Sequence, residues 1–380
     1  MNEAMIVSSV RTPIGRAVKG SLIDVRPEDL VARAISAAVD RARVDPERLT
    51  DHALGCAYPS GRQGANLARR ASLLAGLPVE LPGSTITRYC ASSLQAVRVA
   101  THAIWSGEAD GYLVSGVESF SQVGRPADED RHPAFGTGEL PDVYVPMGTT
   151  AENVAERFGI GRDEMDRFAL QSHRLAVAAQ DSGLLARSIV SVTRPDGQVV
   201  DTDDCPRPDT TLERLAGLQP AFSADGRVTA GNSCPLNDGA AAAVIVSGRV
   251  ARTYGLAPRA RVLGTAVTGL SPDIMGVGPI TAIREVLHRT GLRIQDIDVV
   301  EFNEAFASQV LAVCNELKIN LTDQLNPAGG AIALGHPFGM TGLRLLTMLL
   351  DNLDECNGRY GLAALCVGGG QGMAVVVERM

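Results

Sequence analysis

Two glycine-rich segments carry the side chains best suited to chemistry. Asn326–Gly342 reads NPAGGAIALGHPFGMTG and seats His336 between Gly335 and Pro337. Such backbone can approach a ligand closely and bend where a Cβ would clash. An imidazole there has few polar neighbours in the sequence and is free to act on a ligand. Leu365–Gly372, LCVGGGQG, reads as a second tight turn presenting one thiol, Cys366. A third segment, ITRYCASSLQAV, sets Cys90 between strand-like Thr85–Thr87 and an amphipathic helix that Ser92 or Ser93 can cap. A thiol at a helix N-terminus feels the positive end of the dipole and unpaired N–H groups. That favours the thiolate, the nucleophilic form.

Asn303–Glu304, in EFNEAFA, ends a strand. Open α/β sheets present ligand groups at that place. Taken alone, the pair better suits an Asx cap on a helix over Ala305–Glu316. A nucleophilic thiol, an imidazole, a second thiol and an amide together suit a reaction that forms an acyl-thioester on the protein and makes or breaks a carbon–carbon bond. That reaction needs a nucleophile, a proton shuttle and donors for two developing oxyanions. The other histidines (His52, His102, His132, His173 and His288) fall in helices, strands or polar loops and read as solvated or structurally satisfied. Cys56, Cys205, Cys314 and Cys356 read as structural.

These residues need elements to hold them, and the chain repeats itself to supply them. Glu28–Arg43 is helical in pattern and Leu49–Tyr58 reads as turn and strand; Pro279–Arg289 and Ile294–Ala305 repeat that order. Cys56 aligns with Asn303. Thr85–Gly116 then gives strand, loaded turn at Cys90, helix Leu94–Ser106 and strand Gly111–Ser115. Asp323–Gly370 gives strand, loaded turn at His336, helix Leu343–Leu353 and strand Leu362–Val367. Such alternation implies βαβ units and mostly parallel sheets packed between helices. The simplest architecture is a duplicated α/β domain. The intervening Phe120–Asn237 is rich in Pro, Asp and Gly apart from a helical stretch Thr150–Gly183, and suits a lid over the scaffold. Ala240–Val246 is expected to return to the first half's sheet.

Composition narrows the alternatives. Hydrophobic residues make up 45 % and charged residues 21 %, the balance of a water-soluble globular protein. The chain lacks the run of ~18 apolar residues a membrane helix needs. A secretory signal is not expected, because the N-terminus enters a strand pattern at once. Seven cysteines without CxxC pairs argue against disulfides or zinc and for a reducing cytoplasm. A net charge of −8 without a basic run disfavours nucleic acid.

Several blocks, in order, resemble the thiolase family over essentially the whole chain. They are RTPIG from Arg11, CASSLQAV from Cys90, GVESFS from Gly116 and MGTTAE from Met147. Then come GNSCPLNDGA from Gly231, NEAFA from Asn303, GHPFGMTG from Gly335 and CVGGGQG from Cys366. The resemblance implies the duplicated five-layered αβαβα thiolase fold. It divides into an N-terminal half (1–119 and 238–258), an inserted loop domain (120–237) and a C-terminal half (259–380). It implies Cys90 as the acyl-carrying nucleophile and His336 as its activator and part of one oxyanion hole. Asn303 would hold a water completing that hole, and Cys366 would be the acid/base at the α-carbon. Backbone N–H groups of Cys90 and Gly368 would form the second hole. Met147, Ala230, Cys234, Ala305 and Phe306 would surround pantetheine. Coenzyme A enters as substrate, with no permanent cofactor or metal, and the chain is expected to form a homodimer or homotetramer. The implied reaction is CoA-dependent cleavage of 3-ketoacyl-CoA, as in fatty-acid β-oxidation, or its reverse, the condensation of two acetyl-CoA. A ketosynthase lacks the Cys366 thiol, and a non-catalytic partner would not need all four reactive residues. Ser93, Cys234 and Pro146 depart from the commonest pattern, which leaves substrate specificity open but not reaction type.

Overall fold

The computed structural model describes residues 2–124 and 131–380. Part of the expected lid loop, residues 125–130, lies outside the described residues. The strands of the first half are β1 (Ala4–Arg11), β2 (Gly15–Arg16), β3 (Asp51–Gly55), β4 (Ser84–Ile86) and β5 (Gly111–Ser119). A small hairpin, β6 (Val192–Thr193) and β7 (Val199–Val200), lies in the insertion. The chain then supplies β8 (Asn237–Ser247), β9 (Ala260–Gly269), β10 (Val299–Phe302), β11 (Tyr360–Val367) and β12 (Gln371–Arg379).

Strand order shows the repeat directly. The main sheet runs β10-β11-β12-β9-β1-β8-β5-β3-β4, with β2 on β8. Read from the two ends towards the middle, β4-β3-β5-β8-β1 and Leu325-β10-β11-β12-β9 have the same pairing senses. Leu325 stands for β4 through its parallel bridge to Val300. The two arrays meet where β1 pairs β9 at Met5 and Ile6. β8 returns to the first array as expected. The expectation of mostly parallel sheets is corrected, since each array mixes parallel and antiparallel pairs. β11 and β12 are joined by a tight turn at Gly369 (φ 76°) and Gly370 (φ 81°), and such a turn can only join antiparallel neighbours.

Alternation along the strands builds the layers. On β8, Ala241, Ala243 and Ile245 enter a central apolar cluster, while Ala240, Ala242, Val244 and Val246 enter an outer one. On β12, Met373, Val375 and Val377 enter the same central cluster, and Ala374 and Val376 enter a second outer one. Helices Ser92–Ser106 and Phe338–Cys356 pack together in the central layer. Pro27–Ala42 covers one outer face, and Pro279–Thr290 with Ala307–Leu317 cover the other. Five layers result, helix on sheet on helix on sheet on helix. Close approach at the centre demands glycine: a Cβ on Gly342 would stand 2.4 Å from Leu94 N, and one on Gly339 2.3 Å from Val117 O.

The helical stretch expected over Thr150–Gly183 is two helices, Met147–Arg157 and Arg162–Asp181, broken where Gly159 takes φ 68°. Arg11 ties the insertion to the first half. Its guanidinium donates to both carboxylate oxygens of Asp203, at 2.7 and 2.8 Å, and Ile14 N donates to the same carboxylate at 2.8 Å. Both side chains are fully buried. The RTPIG block is therefore a tether. Asp203→Ala leaves a buried guanidinium without its anion, and is expected to cost about 3–5 kcal/mol in urea unfolding. A loss below about 1 kcal/mol, the range of a surface pair, would contradict this role.

Candidate active site

The turn carrying His336 follows the short helix Ala331–Leu334. It is set by Gly335 at φ 105°, where a Cβ would stand 2.6 Å from the Asn237 amide. Asn237 Oδ1 accepts from His336 N at 2.9 Å. His336 is buried and its ring is not free, contrary to the sequence expectation. Nδ1 lies 2.6 Å from Thr341 Oγ1, and that hydroxyl donates to Pro337 O at 2.7 Å. With its one proton committed, the hydroxyl accepts, so Nδ1 carries the ring proton. Nε2 keeps its lone pair and lies 3.3 Å from Asn303 Nδ2.

Asn303 follows β10 and is fully buried. Its Oδ1 accepts from Arg344 Nη2 at 3.2 Å. The reading of Asn303–Glu304 as a helix cap does not hold, since the next helix begins at Ala307 without a side-chain cap. Glu304 is structural: its carboxylate accepts from Ser172 Oγ at 2.6 Å, Asn326 Nδ2 at 2.8 Å and Ile332 N at 3.2 Å, which holds the glycine-rich segment in place.

Cys90 sits in a single helical turn, Tyr89–Ala91, before the helix Ser92–Ser106. Tyr89 has φ 44°, a strained value for a bulky side chain that turns the next residue out of the chain path. Ser92 pins this turn: its hydroxyl accepts from Arg88 N at 2.9 Å and donates to Tyr89 O at 2.6 Å. Ser93 accepts instead from Leu343 N, at 3.0 Å across the pseudo-repeat. Neither serine caps its own helix. The Cys90 turn packs on β11 and on the helix Phe338–Cys356. Gly368, just past β11, adjoins it; a Cβ there would stand 3.6 Å from the Tyr89 ring and 3.9 Å from Met147 Sδ.

Cys366 lies within β11, opposite Gly372, in the strand expected over Leu362–Val367 and just ahead of the glycine turn. Gln309, fully buried on the helix Ala307–Leu317, holds it, with Nε2 3.1 Å and Oε1 3.4 Å from Sγ. Met147, Cys234, Ala305 and Phe306 pack around Cys366 with Ala151, Val228 and Met275. Cys234 N donates to Ala305 O at 3.0 Å. Ala230 lies outside this cluster, exposed on the turn that follows Thr229. Thr341, Arg344 and Gln309 were missed by sequence reasoning. One signal was available: Arg344 is a lone cation in the apolar run Leu343–Leu350.

The electrostatics contradict a resting thiolate. Burial pushes the Cys90 thiol well above its usual range, and the neighbouring sulfurs of Cys366 and Cys234 add to the shift. The one-turn helix dipole does not overcome this. Burial, with the Arg344 charge adding, holds His336 down to about 3. Burial raises Cys366 to about 11 and Cys234 to about 12. An acid with a raised pKa stays protonated below it, and a base with a lowered pKa stays neutral above it. Cys90 and His336 are therefore both neutral across the physiological range. The far-ultraviolet thiolate absorbance, taken as wild type minus Cys90→Ala, should be absent from about pH 5 to 8. A thiolate signal persisting at about pH 6 would mean an ion pair instead.

The chain matches the family model described as thiolase, N-terminal domain over residues 4–249. It matches thiolase, C-terminal domain over residues 256–379. It is 45 % identical to the beta-ketoadipyl-CoA thiolase of Pseudomonas aeruginosa, covering 100 % of this chain and 99 % of that protein. It is 42 % identical to the 3-ketoacyl-CoA thiolase of Bacillus subtilis, covering 100 % of both. Among solved structures, the Bacillus anthracis acetyl-CoA acetyltransferase superposes with TM-score 0.93 at 39 % identity, covering 100 % of this chain and 99 % of that one. Human mitochondrial 3-ketoacyl-CoA thiolase in complex with CoA gives 0.92 at 37 %, covering 100 % and 98 %. With both halves matched in order and relatives aligned end to end, this chain belongs to the thiolase family of acyltransferases.

Proposed function

We propose that this chain cleaves a 3-ketoacyl-CoA with CoA, giving acetyl-CoA and a shortened acyl-CoA through an acyl group carried on Cys90. The observation that carries this reading is the chain from Pro337 O through Thr341 Oγ1 to His336 Nδ1, which assigns the ring proton to Nδ1 and leaves Nε2 as the basic nitrogen.

In the first half-reaction Cys90 Sγ bonds to the substrate's C3 as its proton passes to His336 Nε2. Neither group is ionised beforehand, so bond formation and proton transfer are coupled. The C2–C3 bond then breaks. The electron pair on C2 takes the proton of Cys366, acetyl-CoA leaves, and the acyl group remains on Cys90. In the second half-reaction the Cys366 thiolate takes the proton of CoA, whose sulfur attacks the acyl carbon. Cys90 is expelled and regains its proton from His336. Gln309 Nε2, 3.1 Å from Cys366 Sγ, donates to the thiolate formed between the two steps. Asn303 beside Nε2 supports the first oxyanion hole, and the N–H groups of Cys90 and Gly368 the second. Met147, Cys234, Ala305 and Phe306 line the thioester arm, and Ala230 lies at the outer, exposed end. Residues 120–237 act as the lid that selects the acyl group.

Seven free cysteines support a reducing cytoplasm. β4 ends the sheet with an open backbone edge that a second copy can extend, which supports a homo-oligomer. The B. anthracis neighbour's name favours a second reading, acetyl-CoA condensation, because one site serves both directions.

Cys90→Ser should fold normally and lose at least about 10³-fold in kcat, since a hydroxyl is a far weaker nucleophile. Activity near wild type would refute the assignment. Cys366→Ala, mixed with acetyl-CoA, should acylate Cys90 by thioester exchange more slowly, since the leaving CoA sulfur loses its proton donor, but should fail altogether at the carbon–carbon step. Mass spectrometry finding no acyl group on Cys90 would show the division of labour to be wrong. Across a panel of 3-ketoacyl-CoAs, 3-oxoadipyl-CoA or longer chains should be cleaved faster than acetoacetyl-CoA. A preference for acetoacetyl-CoA over every longer substrate would favour the condensing role.

A further inference from the structure

We propose that Arg344, packed beside Glu301, is a positioning residue that fixes which way the Asn303 amide faces and thereby keeps His336 Nε2 unprotonated. The inference rests on the catalytic reading above. An asparagine amide turned through about 180° occupies nearly the same volume, so packing alone cannot choose between its two faces. A guanidinium offers donors only. Arg344 Nη2, 3.2 Å from Asn303 Oδ1, therefore sets the oxygen towards itself and leaves Nδ2 for His336, 3.3 Å away. The turned amide would offer an acceptor to Nε2. That would favour a proton on Nε2, remove the base, and replace a donor with an acceptor beside the first oxyanion.

The arginine is poorly explained as a source of stability. Its side chain and that of Glu301 are fully buried, and their closest N–O separation is 3.7 Å. Arg344 Nε and Glu301 Oε2 have no hydrogen-bond partner. A buried pair of this quality is commonly matched or bettered by apolar side chains of similar size. Glu301, on β10, is steadied by Asn352 Nδ2 at 2.8 Å and stands beside the guanidinium, but burial raises its carboxyl to about 8, so it is a weak counter-charge at neutral pH. The buried guanidinium therefore serves a geometric end.

The test is a cycle in the full-length enzyme combining Arg344→Met/Glu301→Leu, which removes both ionisable groups together, with Asn303→Ala. The charge-free variant should lose roughly 10- to 100-fold in kcat, the range for a misplaced catalytic group, while KM for CoA changes by less than about two-fold. In the Asn303→Ala background the same change should lower kcat by less than about two-fold, because the amide it acts through is gone. Wild-type kcat in the charge-free variant overturns the proposal, and so does an equal loss in both backgrounds. Should the charge-free variant fail to fold, Arg344→Lys keeps the charge but loses the fork. It should show the same split between kcat and KM, and wild-type kcat there again overturns the proposal. Wild-type kcat in Asn303→Ala alone would instead strike at the catalytic reading.

Discussion

A neutral imidazole with one fixed tautomer is the constraint on which the site depends. Thr341 spends its proton on Pro337 O and so receives the Nδ1 proton of His336. Asn303, oriented by Arg344, faces Nε2. The ring can then take a proton only at Nε2, the nitrogen beside Asn303. Burial, which holds His336 near 3 and lifts Cys90 well above its usual range, makes the resting pair uncharged. A site of this kind suits a reaction whose intermediates are thioesters and enolates. Charge appears only as bonds change, where preorganised donors stabilise it most.

The fold makes that arrangement possible by bringing the ends of two repeats together. His336 and Arg344 come from the second half's central helix and the turn before it, Cys90 from the equivalent turn of the first half, and Cys366 from β11. The central helices pack closely at Gly342, and Gly339 lets the second-half helix start against β5. Glu118, at the end of β5, clamps them. Its carboxylate accepts from Ala57 N and from Gly339 N, each at 2.9 Å, so one first-half side chain holds the start of the second-half helix.

Much of this was legible in the sequence. The periodicities located the central helices, the strands and the repeat, and glycine-rich punctuation located the reactive turns. What failed has physical causes. The thiolate inferred from a helix N-terminus ignored burial, which only the assembled layers create. Ser92 and Ser93 have the right chemistry for helix caps, yet tertiary partners recruit both. Gln309 and Thr341 look like ordinary helix residues, because their meaning lies in atoms brought beside them from other elements.

The most direct test of the neutral, single-tautomer ring is nitrogen NMR of histidine-labelled enzyme, with the His336 signals identified by their loss in His336→Asn. The account predicts a neutral imidazole carrying its proton on Nδ1, with no titration across the physiological range. An imidazolium at neutral pH, or a ring protonated on Nε2, would contradict it.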